Sequence, residues 1–442
     1  MKVKNSMFLA AAIAAAVVSC SRGSEASSNL DPAIALAVES VSADSVKAYI
    51  DALVGFHTRH TLSTQSDPER GIGAAVDYLA AKCSTYAEAA TDAGRPVPTV
   101  EKVYFTVGGP GTRYERVQSV PMLTVTIPGT EAEREILLMA HIDNRVADLS
   151  DSVSFTPGAN DDGSGLSCLL EAVRIFSKTP LKQTVKCLFV AGEEQGLDGS
   201  VYFARKARQE GWPVEAVLSN DMIGNAEASG TDLRTDKVVR IFSESLSGED
   251  SDNRQLARYI KEIGEKYVPG HEVKLMYRSD RYRRSGDQVS FLDEGFTAIR
   301  VSEYYENYDR THQDVREEDG IAYGDMPSGV DIPYLVKNIK VNVASVASLA
   351  QAPARPQNAE IANARDLGNT TVLSWTSAAD AAEYEILLRE TEMPVWSAYD
   401  CVAAAPAGES QSFEVPLSKD NYFYAVRAVS KGGHPSLPAV CR

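Results

Sequence analysis

From residue 119 to residue 303, short apolar runs rich in Val, Ile, Leu and Phe alternate with longer stretches whose apolar residues recur every three to four positions. The first pattern belongs to strands buried on both faces, the second to amphipathic helices. Residues 121–127, 136–140, 184–190, 216–219, 238–242, 273–277 and 298–301 are predicted strands, and 164–176, 199–209, 254–266 and 332–349 are predicted helices. A further helix is expected over 71–90, ahead of the sheet. The alternation specifies an α/β structure with a mixed, largely parallel central sheet flanked by helices.

Around Ala350 the pattern changes. Residues 351–357 read Gln-Ala-Pro-Ala-Arg-Pro-Gln, the composition of a semi-rigid linker, so an α/β domain is expected over 29–350. Beyond the linker the period shortens to two, at 372–375, 384–389 and 422–429, and residues 358–442 are expected to form an all-β sandwich. The Leu-Ser-Trp at 373–375, the run from Tyr384 and the run 424–429 followed by Gly432-Gly433-His434-Pro435-Ser436 resemble a fibronectin type III domain. That module carries no reactive constellation, and its protein partner is not legible.

The N-terminus has Lys2 and Lys4, an apolar run over 7–18, then Ser19-Cys20. A spanning helix needs about 20 apolar residues, so this shorter run reads as an export signal. Val17-Val18-Ser19-Cys20 resembles the lipobox of bacterial lipoproteins. The resemblance implies a lipid on Cys20, residues 1–28 as signal peptide and tether, and a place in the bacterial cell envelope, facing the periplasm or the cell surface. Membrane contact is then through the lipid anchor only.

Across the 442 residues, 61 acids outweigh 44 Lys and Arg, for a net charge of −17. Such a surface repels phosphate backbones, so nucleic acid is excluded as a partner while metal cations are favoured. Past Cys20 stand Cys83, Cys168, Cys187, Cys401 and Cys441, an odd number. Cys168 and Cys187 read as small buried hydrophobes, and Cys401 with Cys441 is a candidate disulfide.

Candidate chemistry gathers just past the predicted strand ends, where open α/β sheets place their ligands. His141-Ile142-Asp143 follows one strand, and Gly158-Ala159-Asn160-Asp161-Asp162-Gly163-Ser164-Gly165 leads into a helix. Gly192-Glu193-Glu194-Gln195-Gly196 follows Val190, Asp221-Met222-Ile223-Gly224 ends another strand, and Thr311-His312-Gln313-Asp314 stands further on. Each alone is an ordinary turn or solvated loop. Together they offer the two His and three carboxylates that two zinc ions sharing one acid require, with one more Glu to move a proton. Adjacent Glu side chains can serve one site only if the chain turns there, which the flanking glycines allow.

This series, over roughly residues 115–350, resembles the M28 family of di-zinc exopeptidases, which includes bacterial leucyl aminopeptidases. The resemblance implies that His141, Asp161 and Asp221 hold one Zn2+ ion, and that Asp161, Glu194 and His312 hold the other. It further implies that Asp143 orients His141, that the Asp161–Asp162 peptide is cis, and that Glu193 is the general base for a water activated by the two zincs. The substrates are then peptides with a free N-terminus, cut at their first bond. The M20 peptidases share His-X-Asp and Glu-Glu but insert a lid domain before the last His, whereas here strands and helices continue from Asp221 to His312. The motif His-Glu-X-X-His is absent, since Leu275 stands where its second His belongs. Where many M28 members have Ser-Asp-His, this chain has Ser285-Gly286-Asp287-Gln288, with Gln288 in place of His, a change that bears on substrate positioning. Two alternatives stay open: a glutaminyl cyclase-like acyltransferase, and an inactive lipid-anchored binding protein. The segment Phe56-His57-Thr58-Arg59-His60 could place a His near the cleft, although a surface place on a helix end is the commoner reading, and Tyr304, Tyr305 and Tyr308 are expected in aromatic packing or a pocket wall.

Overall fold

The computed structural model describes residues 30–114, 116–244 and 250–442, so the expected export signal and Cys20 lie outside the described residues. Helices α1 (Pro32–Glu39), α2 (Ala43–Gly55) and α3 (Gly71–Asp92) precede β1 (Thr99–Val107), β2 (Gln118–Ile127) and β3 (Glu135–His141). There follow α4 (Gly163–Phe176), β4 (Thr184–Val190), the one-turn α5 (Glu193–Gly196), α6 (Asp198–Glu210) and β5 (Val214–Asn220). Then come β6 (Val238–Phe242), α7 (Asp252–Tyr267), β7 (Glu272–Met276), α8 (Gln288–Asp293), β8 (Ala298–Glu303), a small hairpin of β9 (Arg316–Glu318) and β10 (Ile321–Tyr323), and α9 (Ile332–Gln351).

The strands form one eight-stranded sheet in the order β1-β2-β4-β3-β5-β8-β6-β7. Its centre, β4-β3-β5-β8, is parallel, while β1, β2 and β6 join antiparallel. β4 is buried at every position, as expected of a strand covered on both faces, and Lys186 within it is paired with Glu135 at 2.8 Å. β1 was not predicted: it is an edge strand whose residues alternate with exposed polar positions, a weaker signal than a buried run. α1 and α2 were also not predicted, although Val46, Tyr49, Ile50 and Leu53 of α2 recur at helical spacing and are all buried. Cys83, Cys168 and Cys187 are buried in the main core.

After α9 come β11 (Gln357–Ile361), β12 (Thr371–Thr376), β13 (Glu383–Glu390), β14 (Ser397–Ala403), β15 (Ser410–Val415), β16 (Tyr422–Val429) and β17 (Ala439–Cys441). They make two antiparallel sheets, β11-β12-β15 and β14-β13-β16-β17, around a core of Trp375, Tyr384 and Tyr424. The candidate disulfide is corrected here. Cys401 on β14 and Cys441 on β17 are outer strands with two strands between them, about 14 Å at the usual strand spacing, whereas a bridge needs Cα atoms within about 7 Å.

The sandwich meets the α/β unit through buried charge. Asp250 accepts Arg389 Nη2 on both carboxylate oxygens at 2.7 Å and Arg258 Nη1 at 2.9 Å. Arg427 of β16 holds Glu262 of α7 at 2.7 and 2.8 Å, and the Trp396 indole donates to Gln255 at 2.7 Å. Removing one member of a buried pair leaves the other uncompensated. Arg389→Leu is therefore expected to cost about 3 kcal/mol of stability in chemical denaturation; an unchanged midpoint would show that the Asp250 cluster does not join the two parts.

Candidate metal centre

Every predicted metal ligand and the predicted base stand at the C-terminal edge of the parallel strands. His141 ends β3, Asp161 lies in the loop entering α4, Glu193 and Glu194 open α5 after β4, Asp221 follows β5, and His312 lies between β8 and β9. The structure brings them together as two groups that share Asp161: His141, Asp161 and Asp221, and Asp161, Glu194 and His312. Within each group the ligand atoms all lie within 4.8 Å of one another. His141 Nε2 is 3.2 Å from Asp161 Oδ1 and 3.8 Å from Asp221 Oδ1. His312 Nε2 is 3.0 Å from both Asp161 Oδ2 and Glu194 Oε2. The Asp161–Asp162 peptide is cis.

Local sequence explains how these loops are held. Gly158 takes a φ of +53° with Arg59, Asn144 and the Asp161 carbonyl all within 3 Å of where a Cβ would stand, so only glycine fits. Gly165 likewise packs its Cα against Asn220 and the Asp162 carboxylate. Asp162 is not a ligand candidate: its carboxylate accepts the N–H of Gly165 at 2.9 Å and of His141 at 3.2 Å, tying β3 to the start of α4. Asp325 accepts the Asp161 N–H at 2.7 Å and the Asn160 N–H, while Glu303 holds the Asn160 amide at 2.9 Å. The fully buried Arg59 donates to the carbonyls of Ile142, Pro157 and Gly158.

The role expected of Asp143 changes. Its carbonyl oxygen, 2.9 Å from His141 Nδ1, fixes the ring, whereas the carboxylate lies 3.8 Å from that nitrogen. The carboxylate instead accepts the N–H groups of Gly192, Glu193 and Glu194 at 2.9, 3.3 and 3.1 Å. Asp143 thus orients the Glu193-Glu194 turn as well as His141, because only an acceptor can satisfy the unpaired amides opening α5. Gln288, the departure from the family pattern, donates to Asp280 at 2.9 Å; Asp280 meets Arg300 at 3.2 Å, and Arg300 meets Asp221 Oδ2 at 3.0 Å. Gln288 therefore acts on the site through a buried relay ending at Asp221. His60 is also corrected: it is buried, with Nε2 3.0 Å from Gln195 Nε2 and 3.0 Å from the Leu149 carbonyl, so it is not a surface residue. Tyr304 and Tyr305 pack edge to face at 4.8 Å, and Tyr308 is exposed.

The electrostatics follow from many carboxylates in little water. Burial raises Asp161, but hydrogen bonds from His141 and His312 outweigh it and hold the carboxyl well below the usual range. Burial, joined by the charges of Asp221, Glu194 and Asp287, pushes Glu193 well up against the pull of His141. Asp287 is pushed to about 7, chiefly by burial, and its Oδ1 has no hydrogen-bond partner among the described residues. Glu194 Oε1 is also buried without a partner. Imidazole nitrogens that face carboxylates, beside an orphaned carboxylate oxygen, are a donor set that fits zinc. Arg59, Arg145, Asp280, Arg300, Glu303 and Asp325 went unread in the sequence, because nothing in their spacing ties them to the ligand loops.

This centre, on this sheet, defines a metallohydrolase. Residues 123–326 match the model of Peptidase family M28. The chain is similar to a probable zinc metalloprotease of the fungus Pyricularia oryzae, 38% identical over 416 residues that cover 88% of this chain and 80% of that protein. The chain belongs to family M28 and is a zinc metalloprotease. In fold it is similar to the Legionella pneumophila LapA aminopeptidase, with a TM-score of 0.52, 21% identity and coverage of 72% of this chain and 74% of that one. It is likewise similar to a leucine aminopeptidase precursor from Bacteroides thetaiotaomicron, with a TM-score of 0.51, 18% identity and coverage of 69% and 97%.

The Asp287 carboxyl gives a pH signature with a definite sign. The folded chain keeps its proton up to about 7, while the unfolded chain loses it near the ordinary Asp value of 3.8. Stability of chelator-treated protein should accordingly fall as pH rises from about 4 to about 7. Asp287→Asn is expected to flatten that stretch of a stability–pH curve measured by thermal melting; a curve of unchanged slope would place the titration elsewhere.

Proposed function

We propose that the chain is a zinc aminopeptidase that hydrolyses the first peptide bond of peptides bearing a free N-terminus. The observation that carries this reading is the pair of ligand groups sharing Asp161, with Glu193 beside them. His141, Asp161 and Asp221 would hold one zinc, and Asp161, Glu194 and His312 the other. Bound there, two zinc ions supply Lewis acidity for the scissile carbonyl and an activated water. Glu193, raised above its ordinary range by burial, takes a proton from that water and returns it to the leaving amine. The buried Asp287 carboxylate, with one oxygen unpartnered, suits a substrate α-ammonium better than an internal amide. That preference supports an exopeptidase limit in physical terms.

The same proposal includes export with lipid anchoring at Cys20, which would put the enzyme at a membrane surface among extracytoplasmic peptides. It also includes the C-terminal sandwich as a fibronectin type III-like module that braces α7 through Asp250 and Glu262.

Two substrates and one variant test the activity. Unblocked aminoacyl anilides should be cleaved and their N-acetylated counterparts left intact. Glu193→Gln should lower kcat by a hundred- to ten-thousandfold, the usual weight of a general base, with zinc content unchanged. Release of ammonia from a peptide with N-terminal Gln, without cleavage of anilides, would overturn the aminopeptidase in favour of the cyclase chemistry.

A further inference from the structure

The two halves of the centre are built differently. His141 Nδ1 donates to the Asp143 carbonyl at 2.9 Å, which leaves Nε2, facing Asp161 and Asp221, as the atom a metal would take. A ring held in this way is already in the tautomer that a metal takes. His312 has no such acceptor behind it. Its Nδ1 lies 2.6 Å from Nη2 of Arg145, and a guanidinium can only donate. Arg145 Nε also donates to Glu194 Oε2 at 2.9 Å, the oxygen that stands 3.0 Å from His312 Nε2. A third donor, Nη1, reaches the Val146 carbonyl at 3.2 Å, so the fork is anchored on its own loop.

Donor chemistry then sets a conflict. A neutral imidazole that ligates through Nε2 must carry its proton on Nδ1, and an N–H there cannot face the N–H of a guanidinium at 2.6 Å. Arg145 also draws on the charge of Glu194 that a metal would use. Arg300 meets Asp221 Oδ2 at 3.0 Å in the first group much as Arg145 meets Glu194 Oε2 in the second, so the difference between the groups lies behind the imidazoles, a carbonyl at His141 and a guanidinium at His312.

Resting on the two-zinc reading above, we propose that Arg145 is a positioning residue that makes the two metal positions fill in order: the His141–Asp161–Asp221 group first, the Asp161–Glu194–His312 group only as the guanidinium releases His312 Nδ1. A charge-assisted hydrogen bond of this kind contributes about ten- to a hundredfold in an equilibrium constant, and this is the gap it sets between the two affinities. Arg145 stands two residues past Asp143 in the loop that follows β3, so the segment that orders the first ligand also carries the group that restrains the second.

The test equilibrates the full-length zinc-loaded protein against buffers of stepwise lower free zinc and reads zinc per chain by elemental analysis. The wild type is expected to hold a plateau at one zinc per chain across at least tenfold in free zinc. Arg145→Met, which keeps the length of the side chain without its donors, should shorten that plateau by at least tenfold by tightening the weaker site, with the tighter site unchanged within twofold. Arg145→Gln serves as a second variant with the same expectation should the first fold poorly, as judged by its melting curve. Two zincs released together in the wild type, or a plateau equally wide in the variants, would overturn the role of Arg145 while leaving the two-zinc reading intact. One zinc at saturation in wild type and variants alike would overturn that reading together with it.

Discussion

Carboxylates crowded out of water are the constraint on which the rest of this structure depends. Asp143, Asp161, Asp162, Glu194, Asp221, Asp287, Glu303 and Asp325 are all buried around one point at the edge of the sheet. Like charges in a poorly solvated place repel and lose their hydration, and such a cluster persists only where cations and N–H donors answer it. Three answers are visible. Backbone amides are aimed at Asp143, Asp162 and Asp325, the guanidiniums of Arg300 and Arg145 meet Asp221 and Glu194, and the imidazoles of His141 and His312 face the remainder. The orphaned oxygens of Glu194 and Asp287 mark where the answer from the protein itself runs short. A zinc protease needs that deficit, because it is what draws a dication into the cleft.

The parallel core of the sheet is what makes the crowding possible. β3, β4, β5 and β8 run the same way, so the loops leaving them open on one edge and converge there. Each loop is then fixed by side chains of its neighbours instead of by its own regular structure. Asp143, from the β3 loop, caps the turn after β4; Asp162 ties the α4 loop back to β3; Asp325, from beyond β10, holds Asp161. Cross-linking of this sort keeps ligand atoms in place on irregular backbone. It also makes the centre asymmetric, with a carbonyl behind His141 and a guanidinium behind His312.

The C-terminal sandwich is joined to the α/β unit by charge as well as by Leu437, which packs into the main core. Arg389 and Arg258 converge on Asp250, and Tyr277, which ends at the β7 edge of the sheet, donates to the Pro394 carbonyl. Arg254 and Arg258 lie against the Tyr277 ring. The loop from Arg278 to Asp287 starts at this junction and reaches the centre at Asp280, which neighbouring Arg300 and Arg281 hold at about 2 against its burial. The module is thereby in contact with the base of a loop that shapes the site.

Much of this was legible along the chain, for reasons that differ element by element. The strands at 184–190 and 238–242 are the observed β4 and β6, because short runs rich in Val, Ile, Leu and Phe signal a strand even where Lys186 or Arg240 interrupts them. His141, Asp161, Glu194, Asp221 and His312 could be named because their segments follow strand ends and together resemble the M28 series. Edge strand β1, the buried His60 and the separation of Cys401 from Cys441 were settled only by three-dimensional neighbours. So were the supports of the site. Arg59, Arg145, Arg300, Glu303 and Asp325 lie far from most of their partners in sequence or carry no pattern of their own, and only the packed sheet brings them to the ligands they hold. The chain by itself determined which groups could bind metal, since that is a matter of donor type and turn; the tertiary structure decided how each is oriented and which cation competes for it, since hydrogen-bond direction exists only between residues already folded together.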